Sequence, residues 1–521
     1  MTDVHHLPRV ELDVLAAEPG VTPQAVRREG RFRAARRCID APAMELSAVP
    51  GAASYELLVR PLGLGDGGWR LRSAEPRVDL GSIWTEAPLA MLQLQPLARD
   101  GEGRLIGVGS CTTLVRSPDW AGSDGRTLDY RDAAGGVVEH LLHRAPPALA
   151  HPGDPAFMWH ASLSVAEPAK YHDFQFPALT YASFIDLFLA GAEAGVAGVD
   201  GLSMARRLCD FLIEHPAVDG GPLAGVPFST MGGGGGGGMW EKDTTTVVRL
   251  GWLGCSALRL ARASGEDSYE AYARRLAEVL LSLQQEDGSW PYRVRLEDGE
   301  VVEPYTAAAV IAILLLERLG TAGGDLGARC AAAVERGTEW VVANPVRTGL
   351  WQQMYEDVTT REPYTNLEQW AALETAMLLI RRRHPDALEH ASRLIRYVED
   401  QFVIFGPEPM LTPTAYEPLT PSVIEQYVCY WPMDFHTANY VRATLAMHEA
   451  SGIGVWLDKA VASANTIVRC RLPDGRFSSI VPDRRLGVSP EFPAWYNCMA
   501  HAAMVLLEVG PRLCRAVDAA G

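Results

Sequence analysis

The sequence predicts a multidomain, mainly helical protein: an (α/α) toroid of about six helical hairpins preceded by a small β-sandwich. Three observations carry this expectation. From Pro177 onward, apolar residues recur at helical spacing in segment after segment. A Gly-x-aromatic turn returns after successive helix pairs. The stretch 30–117, by contrast, has the alternating texture of strands.

In that stretch, Tyr55-Glu-Leu-Leu-Val-Arg60 and Met91-Leu-Gln-Leu-Gln95 alternate or nearly alternate, and Asp100-Gly101 supplies a turn before Leu105-Ile-Gly-Val108. The order Ala53-Ser-Tyr-Glu-Leu57, Trp69, Leu80-Gly-Ser-Ile-Trp84 and a strand ending in Asp-Gly resembles fibronectin type III-like accessory domains. Residues 1–29 read as an N-terminal extension. Residues 118–176, rich in Asp, Gly, Pro and His without sustained periodicity, read as a linker to a toroid spanning 177–521.

Helices are expected at 178–194, 201–214, 244–263, 268–284, 304–319, 328–343, 366–381, 386–402, 437–450, 456–470 and 495–509. Gln284-Gln-Glu-Asp-Gly-Ser-Trp290 closes one pair, Thr348-Gly-Leu-Trp351 the next and Leu472-Pro-Asp-Gly-Arg-Phe477 a later one. The glycine makes a tight turn and the aromatic plugs the gap between hairpins. An open array would need polar caps, whereas Gly- and aromatic-rich connections between about six pairs point to closure into a ring.

Bulk properties narrow the function. With 64 acidic against 47 basic residues, the net charge of −17 repels a phosphate backbone, so nucleic acid is not an expected partner. One or two arginines can still hold an acidic substrate. The longest aliphatic stretch, Ala307 to Leu316, is short of the roughly 20 residues a membrane span needs. Met1 to Gly20 has no apolar segment behind a basic start, which leads to the expectation of a cytoplasmic protein. Nine cysteines are spread singly without a CxxC pair, as suits reduced, mostly buried thiols. No HExxH occurs, and His384 and His390 are spaced wrongly for one helical face, so neither metal nor cofactor is expected. A Gly-x-Ser-x-Gly elbow is also absent. Self-association into a homo-oligomer stays open.

Four motifs, Gln284-x-x-x-Gly288-x-Trp290, Trp351-x-x-x-Tyr355-Glu-Asp357, Tyr364-x-Asn366-Leu367 and Lys459-Ala-x-x-x-Ala-Asn465, resemble those of bacterial six-hairpin glycosidases and toroidal polysaccharide lyases over residues 170–510. The first is also similar to turns in terpene cyclases and protein prenyltransferase subunits, but no DxDD or DDxxD cluster accompanies it. The resemblance implies a carbohydrate-active enzyme, of the type acting on uronic acids, with an oligosaccharide or glycoside substrate.

Candidate site residues belong to the loops and first turns at one end of the ring. The seven glycines Gly232 to Gly238 lead into Trp240, Glu241 and Asp243, where an indole can stack on a sugar face and carboxylates can accept hydroxyl hydrogen bonds. Their alternative is a loop with Asp243 capping a helix. Glu356 and Asp357 are adjacent, so only one of them is a proton donor, and Tyr364 and Asn366 follow. The segment Glu425 to Tyr440 is the densest polar and aromatic cluster and offers Asp434, His436, Asn439 and Tyr440. There Asp434 alternatively caps a helix starting near Thr437, and His436 is alternatively a satisfied buried imidazole. Arg293, Tyr305, Trp495 and Asn497 read as lining.

Glycoside hydrolysis is the leading expectation. It needs two carboxylates, about 5–5.5 Å apart for retention or 6.5–9.5 Å for inversion, and Asp434 with one of Glu356, Asp357 and Asp243 fills that role. The runner-up is β-elimination on a uronate by His436, Asn439, Tyr440, Tyr364 and Arg293. A sugar epimerase and a non-catalytic glycan-binding ring complete the set.

Overall fold

The computed structural model describes residues 9–12, 14–16, 36–63, 67–143, 177–227, 229, 243–351, 369–407, 418–425, 432–482 and 495–520. The chain divides into two compact units, Met1–Ala121 with Arg396–Glu417, and Gly122–Ile395 with Pro418–Gly521.

The first unit holds strands β1 (Arg9–Leu12), β2 (Val14–Ala16), β3 (Arg36–Cys38), β4 (Ala43–Leu46), β5 (Ser54–Pro61), β6 (Trp69–Ser73) and β7 (Arg77–Asp79), the one-turn helix α1 (Gly81–Trp84), and β8 (Met91–Arg99), β9 (Leu105–Gly109) and β10 (Thr112–Arg116). One sheet has the order β1-β4-β7. The other is built on the long strand β8, which pairs with β5 along one edge and with β10 and then β9 along the other. Tyr55, Leu57 and Val59 alternate into a core that also takes Leu92, Leu94 and Leu114 of this sheet and Met44, Leu46 and Val78 of the other. The strands β1 and β2 lie within the stretch expected as an extension. The segment from Arg396 joins this unit through Asp400, whose carboxylate accepts the backbone N–H groups of Ile39 at 2.7 Å and Asp40 at 2.6 Å.

The second unit contains α2 (Tyr130–His143), α3 (Pro177–Glu193), α4 (Gly198–Glu214), β11 (Thr244–Thr246), α5 (Arg249–Ser264), α6 (Asp267–Leu283), β12 (Arg293–Arg295), β13 (Val301–Glu303), α7 (Ala309–Gly320), α8 (Gly324–Val341), α9 (Trp370–Arg381), the start of α10 (Ala387–Phe402), α11 (Asp434–Ser451), α12 (Gly454–Arg469) and α13 (Tyr496–Ala520). The helices α3, α5, α7, α9, α11 and α13 each pack on the next, and α13 packs back on α3, which closes a ring. Helices α4, α6, α8 and α12 pack on α3, α5, α7 and α11 respectively, and α2 packs on α13. The inner helix α7 is buried along nearly its whole length, as a helix covered on two sides must be, whereas α6 keeps one polar face.

The turn chemistry follows the expected logic. Gly288 adopts φ 93°, and a Cβ there would lie 2.5 Å from the Arg336 carbonyl oxygen, so only glycine fits. Trp290 is fully buried, donates its indole N–H to the Leu280 carbonyl at 2.8 Å, and lies against Gly337 of α8.

Several boundaries differ from the sequence reading. Residues 118–176, expected as a linker, contain α2, which supplies the outer partner of α13. The start expected at 244 is instead β11, because Thr244–Thr246 pairs with Arg293–Arg295. Asp434 is the first residue of α11 rather than its cap, the extended Met433 standing before it. Helix α13 runs through Gly510-Pro511 to Ala520. Gly510 is needed there because a Cβ would lie 2.9 Å from Cβ of Tyr130 on α2.

Candidate active site

The N-terminal turns of four inner helices converge. Trp252 of α5, Trp370 of α9, Phe435 of α11 and His501 of α13 form one ring cluster, with centroids 4.8 Å apart for Trp252 and Trp370, 5.6 Å for Trp252 and His501, 5.4 Å for Trp370 and Phe435, and 4.3 Å for Phe435 and His501. The His436 ring lies 5.0 Å from that of Phe435. Helix α5 approaches α7 closely because Gly251 has no side chain: a Cβ there would lie 2.2 Å from the Ile311 carbonyl oxygen. Trp252 is half-buried while Trp370, Phe435 and both histidines are buried.

Below the rings lies a polar layer. Glu374 of α9 accepts from Arg442 of α11 at 2.5 Å and from the indole N–H of Trp370 at 3.3 Å. Arg442 reaches Oδ1 of Asn439 at 3.4 Å, and the same oxygen is 2.9 Å from Nε2 of His501. Nδ1 of His436 meets the side-chain amide nitrogen of Gln369. Burial pushes the His436 imidazole down to about 3, and burial, with Arg442 and His436 nearby, holds His501 well below its ordinary value. Both rings are therefore neutral at neutral pH. Four helix N-termini aimed at one place favour the same state and also favour negative charge developing on a bound molecule.

The residues singled out from sequence divide in three. His436 and Asn439 belong to this cluster, and Asn497, buried one helical turn before His501 on α13, shares its face. Asp434 is fully buried and lies close enough to Cys470, at the end of α12, for its charge to bear on that thiol. Its Oδ1 accepts the Phe435 N–H at 2.7 Å, Oδ2 has no hydrogen-bond partner among the described residues, and burial raises the carboxyl well above its ordinary value. Tyr440 is fully buried one turn beyond His436.

Other candidates sit on the connections before α5, α7 and α13. Arg293 on β12 lies 3.9 Å from Glu303 and 5.1 Å from the Tyr292 ring, Tyr305 donates to the Leu350 carbonyl at 2.7 Å, and Asp243 is exposed. The backbone of Trp495 is tied to the Ser479 hydroxyl at 2.7 Å. Trp240, Glu241, Glu356, Asp357, Tyr364 and Asn366 lie outside the described residues. Sequence reasoning passed over Trp252, Gln369, Trp370, Glu374, Arg442 and His501. For His501 the signal was available, since it follows Asn497 by four residues on one helix.

With this geometry in hand, solved structures of similar architecture are informative about the fold. A D-mannose isomerase superposes with a TM-score of 0.53 at 12% identity, over 75% of this chain and 100% of that one. A sugar epimerase from a ruminal bacterium gives 0.52 at 12% identity, over 74% and 99%. The chain carries the six-hairpin (α/α) toroid fold. A family 76 glycoside hydrolase from a bovine Bacteroides thetaiotaomicron strain gives 0.46 at 9% identity, over 88% and 93%. No family model and no curated protein matches the sequence. Among the described residues no helix is long and apolar enough to cross a membrane, and no group of three His, Cys, Asp or Glu side chains is placed to hold a metal ion.

Proposed function

We propose that this protein is a carbohydrate-active enzyme that moves a proton on a small sugar, an aldose–ketose isomerase or 2-epimerase. The observation that carries the reading is the pair of buried, neutral imidazoles, His436 and His501, each in ring contact with Phe435 near the helix N-termini beside the half-buried Trp252. In this reaction an open-chain sugar lies on the indole of Trp252. One imidazole removes the proton from C2, and the C–H electron pair forms the C1–C2 double bond as the carbonyl π pair moves to O1. The second imidazole gives O1 a proton. For a ketose the first proton is delivered to C1 as the O2–H proton passes to the second imidazole and C2 becomes the carbonyl. For an epimer the enediol turns its other face to the first imidazole, which returns the proton to C2 as O1 gives its proton back. The helix N-termini stabilise the oxyanion as it forms. The carboxylate of this cluster, Glu374, is committed to Arg442 and Trp370. Two solved structures with TM-scores above 0.5, a sugar epimerase and a D-mannose isomerase, support the same reading.

One observation favours hydrolysis as a second reading: burial raises the Asp434 carboxyl well above its ordinary value, and its Oδ2 is unpartnered among the described residues, as suits a proton donor. In either case the two-sheet unit serves as an accessory β-sandwich. Incubating the protein with aldoses, ketoses and neutral and uronic-acid oligosaccharides decides between the chemistries. A new sugar of unchanged mass supports the first reading. A gain of one water per cleavage supports the second, and an ultraviolet-absorbing unsaturated product contradicts both.

A further inference from the structure

Two of the polar side chains beneath the aromatic cluster have only one chemically sensible orientation. A guanidinium can only donate, so the Asn439 atom 3.4 Å from Arg442 is the amide oxygen. That oxygen can only accept, so the His501 nitrogen 2.9 Å away, Nε2, carries a hydrogen. In a neutral imidazole the other nitrogen then holds a lone pair, and Nδ1 of His501 has no hydrogen-bond partner among the described residues. The orientation of Arg442 is itself set by Glu374, which also accepts from Trp370.

At His436 the same logic gives the same tautomer, with the other ring nitrogen engaged. The Gln369 side-chain nitrogen lies 3.5 Å from the Glu425 carbonyl oxygen, which can only accept, so this end of Gln369 is the NH2 group. It donates to Nδ1 of His436, leaving the hydrogen of that ring on Nε2.

We infer that Glu374, Arg442 and Asn439 are positioning residues that fix His501 as the tautomer protonated at Nε2, with its lone pair on Nδ1. Resting on the isomerase reading, this makes His501, through Nδ1, the group that takes the C2 proton. The relay spans three helices, α9, α11 and α13, so the ring closure itself sets the proton inventory of the site. The groups facing His501 are Asn439, Arg442, Phe435 and His436 from α11 and Trp252 from α5.

The test is nitrogen-15 NMR of the full chain with labelled histidine, the His501 resonances being identified by their loss in His501→Gln. The variants are Arg442→Lys, which keeps a donor facing Asn439, and the double substitution Glu374→Gln with Arg442→Met, which removes both charges together. The expected wild-type pattern is a single neutral tautomer of His501 protonated at Nε2, preserved by Arg442→Lys. In the double variant a mixture is expected. If the correct tautomer falls to about a tenth, kcat falls roughly tenfold with KM changed less than about threefold. A wild-type His501 protonated at Nδ1, or a double variant with an unchanged tautomer, overturns the inference. Because the tautomer is read directly, a protein that proves inactive on every sugar sinks the isomerase reading while the spectra still decide the positioning.

Discussion

Replacing Gly251 by alanine tests whether the ring is closed as tightly as the α5–α7 seam requires. In an ordinary helix interior the change stabilises by about 1 kcal/mol. Here the new Cβ would stand 2.2 Å from the Ile311 carbonyl oxygen, 2.8 Å from its carbon and 2.9 Å from Cα of Ala312, all backbone atoms of α7. Relief requires the two helices to part by about 1 Å, since carbon contacts settle near 3.5–4.0 Å. Overpacking of this kind costs about 3 kcal/mol at the upper end of its usual range, leaving a net destabilisation of about 2 kcal/mol. Gly254, one turn on, is the control. Its added Cβ meets Leu315 Cδ2 at 2.3 Å, Cδ1 at 2.9 Å and Cγ at 3.1 Å, atoms of a side chain that can rotate away. The expected change for Gly254→Ala is near zero. Urea unfolding of the two variants and the parent, followed by circular dichroism, measures the difference. A Gly251→Ala protein as stable as the parent, or a Gly254→Ala protein equally damaged, would refute the packing argument.

Three further predictions follow from the same coordinates. Burial raises the Asp400 carboxyl to about 7, above its unfolded value, so the stability it contributes is full at low pH and is lost as pH rises through about 7; Asp400→Asn should flatten the fall in melting temperature between pH 5 and 8. His436 has the opposite sign: with its folded pKa depressed to about 3, stability is full above the unfolded value near 6.5 and declines as pH falls. A His436→Gln variant should show a shallower loss of melting temperature from pH 6.5 to 4. Asp434→Asn, which replaces a carboxyl that burial raises well above its ordinary value, should fold and keep sugar turnover within about threefold; a loss beyond about a hundredfold moves the chemistry to Asp434 and hydrolysis.

Helical periodicity and the Gly-x-aromatic turns made the toroid legible from sequence, because both report local physics: which face is buried, and where a chain with φ 93° at Gly288 must reverse. Closure by α2 was not legible, since fourteen residues of modest amphipathicity amid Asp- and Pro-rich flanks reveal no partner until α13 is placed beside them. Nor was the return of Arg396–Glu417 to the strand-rich unit, because Asp400 contacts residues some 360 positions earlier. At the site, His436, Asn439 and Asn497 stood out as polar groups near helix starts. His501 and Glu374 did not, because each lies about a turn inside its helix, beyond the loops and first turns where candidates were expected. Arg442, at an exposed-looking helical position, acquires meaning only from Glu374 and Asn439, which come within reach when α9 and α11 pack.

The central claim, that this ring moves a proton at C2 of a sugar, is most directly tested by incubating the protein with a panel of aldoses and ketoses in deuterium oxide and following the C1 and C2 protons by NMR. The account predicts deuterium at C2 of a recovered aldose or at C1 of a ketose, abolished by His501→Gln. Recovery of every sugar of the panel with no deuterium at C1 or C2 would contradict it.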